Sequence, residues 1–417
     1  MNYGKLLVAL LVLLVGTATI AAETLKLGLN YPQTGRYKDQ GLQQRLGAFL
    51  AVEEINAAGG ILGRRVELVI RDTGGDPARG ARNTAELIDR HGVSMVFGGS
   101  SSAVAIASGE AARDRDRLYF GTLTYSNETT GSAGHTHMFR EPYNAWMSAK
   151  ALGKYMNREF SSKKHFYITA DYTWGWSTEE SMRRFTNTSD KNGHPGVTTP
   201  FPKAQTRDFK AALEQAQASN AEVLVMVLFG DDMVRALNIA YEMGLKNKLQ
   251  VVVPNITLGM AREVGPTIME GVIGAAPWTW QVPHKYGFER GKQFVASFSS
   301  RFEMMPSSSA ASAYSIVYQY KDAVERARST DTGALIKALE GHRYQFLKDE
   351  QEWRAFDHQN VQTVYVVKSR PRGQVVAGTL GDDYFEIVDQ MPGNEAAQTL
   401  AEWQEERRAA GAPLALR

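Results

Sequence analysis

The sequence predicts an α/β protein built as two units, each a mostly parallel sheet covered by helices. Three observations point there. Short apolar or alternating runs of strand length recur between amphipathic stretches of helical length. The alternation runs once from Leu25 to Phe120 and again from His165 to Ala275. At 417 residues the chain is long enough to fill two cores. Strands that alternate with helices form a parallel sheet covered on both faces, and ligands of such sheets sit beyond the carboxyl ends of the strands.

In the first unit Leu25, Leu27 and Leu29 alternate as a strand, and Pro32, Thr34 and Gly35 break it. Gly41 to Ala58 carries Leu42, Leu46, Phe49, Leu50 and Ile55 at helical spacing, ended by Gly59-Gly60. Val66, Leu68 and Ile70 form the next strand. Asp76-Pro77 pairs a capping residue with a first-turn proline and opens a helix through Asp89. Val93 to Ala107 reads as strand, glycine turn and helix, followed by the strand Leu118 to Phe120. The loops 31–40, 98–102 and 121–126 all leave strand ends and should meet on one rim.

The second unit begins with a helix at Asn144 to Asn157. Strands are predicted at His165–Thr169, Glu222–Phe229, Gln250–Val253 and Gly271–Ala275, and helices through Asn187, over Asp208–Ala218 and over Asp231–Met243. Phe288–Phe302 and Ala310–Arg328 read as helices, Leu335–Leu339 as a short one, and Val364–Val367 as a strand. From Gln390 the chain is polar and rich in Glu and Arg, a surface helix or a disordered tail.

Lys5, the apolar run Leu6 to Val15 and the small residues through Ala22 have the order of a secretory signal, so residues 1–22 are expected to be removed. The chain has no cysteine, which excludes disulfides, thiolate catalysis and thiolate metal sites. A net charge of +2 gives no reason to expect nucleic acid as a partner. A soluble periplasmic monomer fits these features.

The turn Gly98-Gly99-Ser100-Ser101-Ser102 carries the chemistry. One serine can cap the helix that follows, leaving other hydroxyls and amides for an anion such as a carboxylate.

Several segments together resemble the type I periplasmic solute-binding proteins of ABC transporters, of the leucine/isoleucine/valine-binding family. They are AVEEINAAGGILGRRVELVIRDTGGDPARG (Ala51 to Gly80), the serine turn, DYTWG, DFKAAL, YEMGLK and AFDHQNVQTVYVVK (Ala355 to Lys368). The resemblance spans roughly Leu25 to Lys368. It implies two Rossmann-like three-layer lobes joined by a three-strand hinge, with a small solute held in the cleft between them. The expected division is 23–143 plus 277–340 for lobe 1, 144–276 plus 341–389 for lobe 2, and 390–417 as a tail. Crossings are expected near Tyr143, Pro277 and Gly341. The resemblance also implies delivery to inner-membrane ABC permease subunits, no catalysis and no cofactor.

Carried onto this chain, the family pattern places the solute's carboxylate on Ser101 and Ser102, with Ser100 adjacent. It places Leu123, Thr124 and Tyr125 of GTLTYS at the cleft. From lobe 2 it brings Tyr172, flanked by Trp174, then Phe229, with Trp278 and Trp280 closing the pocket. Each ring read by itself could equally be core. One position departs from the pattern. Amino-acid binders carry an acidic residue where this chain has Asn255, and an amide cannot neutralise a buried ammonium. Either Asp231 or Asp232 compensates from the neighbouring rim, or the solute lacks an ammonium.

Other readings are weaker. No Gly-x-Ser-x-Gly elbow, His-Glu-x-x-His or phosphate loop is present. His135 and His137 alternate in a loop without further ligand-type neighbours and read as solvated rather than metal-binding. Asp357-His358 reads as structural. A receptor of the same fold signalling to a membrane kinase would carry the same cleft.

Overall fold

The computed structural model describes residues 24–99 and 101–417; the expected signal segment and Ser100 lie outside the described residues. Lobe 1 is built on a parallel sheet in the order β2 (Val66–Asp72), β1 (Leu25–Tyr31), β3 (Met95–Gly98), β4 (Leu118–Gly121) and β5 (Met138–Arg140). Leu25, Leu27 and Leu29 bury one face of β1. Its other face is also covered: buried Asn30 donates through Nδ2 to the Gly80 carbonyl of the helix Pro77–Asp89. Asp76 caps that helix, its carboxylate accepting from the Arg79 amide.

Lobe 2 adds β6 (His165–Ala170), β7 (Gly196–Thr199), β8 (Val223–Val227), β9 (Gln250–Val253) and β10 (Ile273–Ala276), all parallel. A small separate sheet follows in the chain, β11 (Arg343–Gln345), β12 (Glu350–Trp353) and β13 (Asn360–Val361). The chain then returns to lobe 2 as β14 (Val364–Ser369) and β15 (Phe385–Met391), which run antiparallel at the sheet's edge beside β10.

Two boundaries move from where the sequence puts them. The third crossing lies not near Gly341 but at Gln362–Thr363. The small sheet stays with lobe 1: Trp353 packs edge-on against Phe120 and Phe139, and Gln359 bridges to Arg140. A fourth crossing follows β15. The helix Leu400–Ala409 comes back to lobe 1, where Trp403 donates through Nε1 to the Thr130 carbonyl at 2.8 Å and packs on Phe356. The tail's polar composition concealed this, because its two anchors, Trp403 and Arg407, are buried on one helix face.

Candidate functional site

Rings from the two lobes meet across the cleft. Tyr37, at the end of the loop after β1, packs against Phe229 (centroids 5.5 Å) and lies parallel to Phe201 at 6.5 Å. Its hydroxyl stands 3.3 Å from that of Tyr172. Tyr172 stacks on Phe201 at 3.9 Å, Trp174 approaches both Tyr172 and Phe229 at 6.0 Å, and Tyr125 approaches Phe229 at 5.9 Å. Offset and edge-on ring pairs of this kind contribute about 0.5–1.5 kcal/mol each beyond their buried area. Burial pushes the Tyr37, Tyr125 and Tyr172 hydroxyls upward, so all three are neutral donors at neutral pH.

Beside the rings is a hydroxyl-rich corner of lobe 1. Ser101 caps the helix Ser102–Arg113, its Oγ accepting from the Val104 amide at 3.3 Å. Ser102 Oγ accepts from the Ser126 amide at 3.1 Å and the Thr124 hydroxyl at 3.3 Å, which locks the serine turn to the loop after β4. Thr124 also meets Thr129 at 2.7 Å, and Leu123 is buried. The serine turn therefore divides its labour, with one residue capping and the next tying two rim loops together.

Asn255 follows β9 and is 1 % exposed. Its Oδ1 lies 2.9 Å from the Tyr143 hydroxyl, while its Nδ2 faces the Tyr125 hydroxyl without closing a well-formed hydrogen bond. A buried amide donor left open in this way is satisfied at little cost by a solute oxygen.

Asp232 does not stand ready for an ammonium. It pairs across the cleft with Arg36 of lobe 1. Burial lifts its carboxyl to about 6 although the guanidinium acts the other way. The folded value lies above the unfolded one of about 3.9, so the folded state holds this proton more tightly. The associated stability is fully present below about pH 4 and is lost as the pH rises through 6, a span of about 3 kcal/mol. Thermal unfolding of the wild type and Asp232→Asn between pH 4 and 7 should show a stability difference that drifts by this order. A flat difference would mean the carboxyl is not buried as described.

Trp278 and Trp280 stand apart from the ring cluster. Trp278 packs on Phe294 and points its Nε1 at the Leu347 carbonyl (3.5 Å), and Trp280 donates to the Asp382 carbonyl (3.2 Å). Neither makes a ring contact with the cleft cluster: after β10 the chain carries Trp278 onto Phe294 and Trp280 onto the connection between β14 and β15. Sequence reasoning missed Tyr37 and Phe201. Tyr37 lies in a loop already assigned to the rim, and its aromatic character was the available signal. His135 is buried rather than solvated, and burial holds its ring well down, at about 3. His137 meets Asp116 at 3.0 Å. His358 stacks on Phe139 and meets Glu340, and Asp357 pairs with Arg354.

The close fit of the lobes is visible at two glycines of lobe 2. A Cβ on Gly230 (φ +60°) would stand 2.6 Å from the Arg36 carbonyl, and one on Gly259 would stand 1.6 Å from Asp39 Oδ2.

Residues 24–374 match the family described as periplasmic binding protein. The chain belongs to the periplasmic binding protein family. The family is one of periplasmic solute-binding proteins. No helix among the described residues of this binding protein is long and apolar enough to cross a membrane. A relative named Leu/Ile/Val-binding protein homolog 4, from Brucella abortus, is 26% identical over 243 residues, which is 56% of this chain and 58% of that protein. The chain thus spans less than two thirds of the length of the first curated relatives it matches. Among solved structures, a periplasmic binding protein from Burkholderia mallei superposes with a TM-score of 0.81 at 23% identity, over 91% of this chain and 97% of the other. A solute-binding protein from R. palustris in complex with benzoate superposes at 0.74 and 18% identity, over 89% and 97%. These two likenesses establish the fold: a type I periplasmic binding protein of two lobes.

Proposed function

We propose that this protein is the solute-capturing component of an ABC importer of the branched-chain amino acid type, exported to the periplasm. Closure of its lobes traps a small carboxylate-bearing solute, and the closed form is what permease subunits of the inner membrane receive. The observation that carries this reading is the ring cluster drawn from both lobes, since the contacts of Tyr37 and Tyr125 with Phe201 and Phe229 exist only when the lobes are together. A solute that bridges them shifts the population toward the closed form.

The polar groups narrow the solute. Hydroxyls at Ser102 and Tyr125 and the Asn255 amide donor suit oxygen acceptors, with Thr124 holding Ser102 in place, and the rings suit a flat or branched apolar body. Asp232 is engaged by Arg36 and Asn255 carries no charge, so an ammonium gains no partner from either. Aromatic and aliphatic acids and small amides are favoured over α-amino acids. The R. palustris structure holds benzoate, whereas the Brucella relative is named for leucine, isoleucine and valine; the experiment must separate these two.

Thermal shift of the purified protein with benzoate, 3-phenylpropionate, phenylalanine, leucine, acetamide and urea does so. At a hundred times its dissociation constant, a solute that binds only the native state adds about 2.7 kcal/mol, a shift of several degrees. Benzoate or 3-phenylpropionate should shift Tm more than phenylalanine. A shift with leucine and phenylalanine alone would return the site to amino acids, and no shift with any carboxylate would remove the carboxylate reading.

A further inference from the structure

Among the described residues four segments connect the lobes, and one side chain joins two of them directly and a third through its partner. Lys348, in the turn between β11 and β12, is 2 % exposed. Its Nζ donates to the Pro277 carbonyl (2.6 Å) on the second crossing, and to Gln362 Oε1 (2.5 Å) and the Thr363 carbonyl (3.1 Å) on the third. The Gln362 amide donates onward to the Glu141 carbonyl on the first. The fourth packs on the same spot: a Cβ on Gly393 would stand 2.5 Å from the Gln362 nitrogen.

All three acceptors of the ammonium are neutral, and no carboxylate among the described residues pairs with it directly. A buried charge held in this way is costly unless every donor is used. Three donors meet three acceptors here, so the requirement is met only while the amine is charged. We propose that Lys348 is a positioning residue for lobe closure, its ammonium clasping the crossing segments into a single pivot. The proposal rests on the solute-capture reading above, because a pivot matters only if the lobes move.

Removing the charge leaves two donors for three acceptors and turns a lone pair toward one of them, which frees the crossing segments from one another. Burial lowers Lys348 to about 8. The titratable groups that face it are Asp349, which accepts from the Thr363 hydroxyl, and Glu141, whose carboxyl burial pushes upward; in their ionised forms both favour the ammonium, and the Tyr365 ring lies 5.5 Å away. Lys246 is also lowered to about 8, but its partners, the Ile268 and Glu270 carbonyls, lie inside lobe 2.

The chain has no cysteine, so Arg82→Cys on lobe 1 and Lys210→Cys on lobe 2, both exposed positions, place one spin label on each lobe. Pulsed electron–electron distance measurements are then made without solute from pH 6.5 to 9.5. With Lys348 present, the inter-lobe distance distribution should broaden with a midpoint near pH 8. With Lys348→Met it should be broad and independent of pH. Gln362→Leu, which removes one acceptor and the link to Glu141, should be broad below pH 8. A distribution of constant width with Lys348 present overturns the proposal, as does a Lys348→Met protein that keeps the narrow form or retains the pH response. If Lys348→Met does not fold, the pH series with Lys348 present and the Gln362→Leu comparison still decide. No solute is involved, so a silent thermal-shift screen would fall on the solute reading and leave this result standing.

Discussion

Gly259→Ala should yield a protein that folds at least as well as the wild type and closes poorly. Gly259 lies in the first turn of the helix Leu258–Val264 in lobe 2, and Asp39 reaches over it from the helix Lys38–Ala57 of lobe 1. An alanine Cβ there would stand 1.6 Å from Asp39 Oδ2, far inside contact distance. Within the lobe, alanine at a helical site is favoured over glycine by up to about 1 kcal/mol. The clash exists only when the lobes are together, and the struck atom ends a side chain that can turn aside, so the cost lies near the lower end of the about 1–3 kcal/mol of overpacking. Solute affinity should therefore fall by about five- to tenfold, while Tm stays level or rises. Asp39→Ala in the same chain should restore most of the affinity, since it removes the atom that is struck. An unchanged dissociation constant for Gly259→Ala would mean that the lobes do not meet here in the solute-bound state. Gly230→Ala meets the Arg36 carbonyl across the same seam, but its φ of +60° would strain its own loop as well. The helical position is the cleaner test.

Asn255→Asp should reverse the protein's preference between a solute and its ammonium-bearing counterpart. One carboxylate oxygen inherits the hydrogen bond from the Tyr143 hydroxyl, and the other takes the place of the open amide donor. A carboxylate at so buried a site carries several kcal/mol of desolvation cost unless a cation meets it. Solutes that bring an ammonium offset that cost, and solutes that bring only oxygen acceptors lose a donor and meet a like charge. Phenylalanine and 3-phenylpropionate differ by that ammonium alone. Their affinity ratio, measured by calorimetric titration of both proteins, should move toward phenylalanine by about a hundredfold, or roughly 3 kcal/mol. An unmoved ratio would place Asn255 outside the solute's reach.

Much of the fold was legible because strands and helices announce themselves locally. Leu25, Leu27 and Leu29 alternate because one face of β1 meets the core, and Asp76-Pro77 opens a helix because capping chemistry involves only neighbouring residues. The serine turn was legible for the same reason. Its internal division was not, because Ser102 finds its partners at Thr124 and Ser126, beyond the next helix and strand of the chain. Tyr37 and Phe201 carry no pattern that separates them from other loop aromatics; Phe201 joins the cluster by stacking on Tyr172, and Tyr37 joins it only when the lobes meet. Trp278 and Trp280 carried the expected signal at the expected place, but the direction of the chain after β10 took them elsewhere.

The order of apolar runs, turn residues and caps was therefore enough to determine two α/β lobes with their rims and the position of the serine turn, while the missing charge at Asn255 was legible through the family resemblance. These depend on interactions between residues close in the chain, or on residue type alone. Which rings line the cleft, that Asp232 is held by Arg36, that the tail returns to lobe 1 and that Lys348 joins the crossings were decided by tertiary structure. Each of these joins residues far apart in sequence, and such pairings follow from how the lobes dock rather than from any local preference.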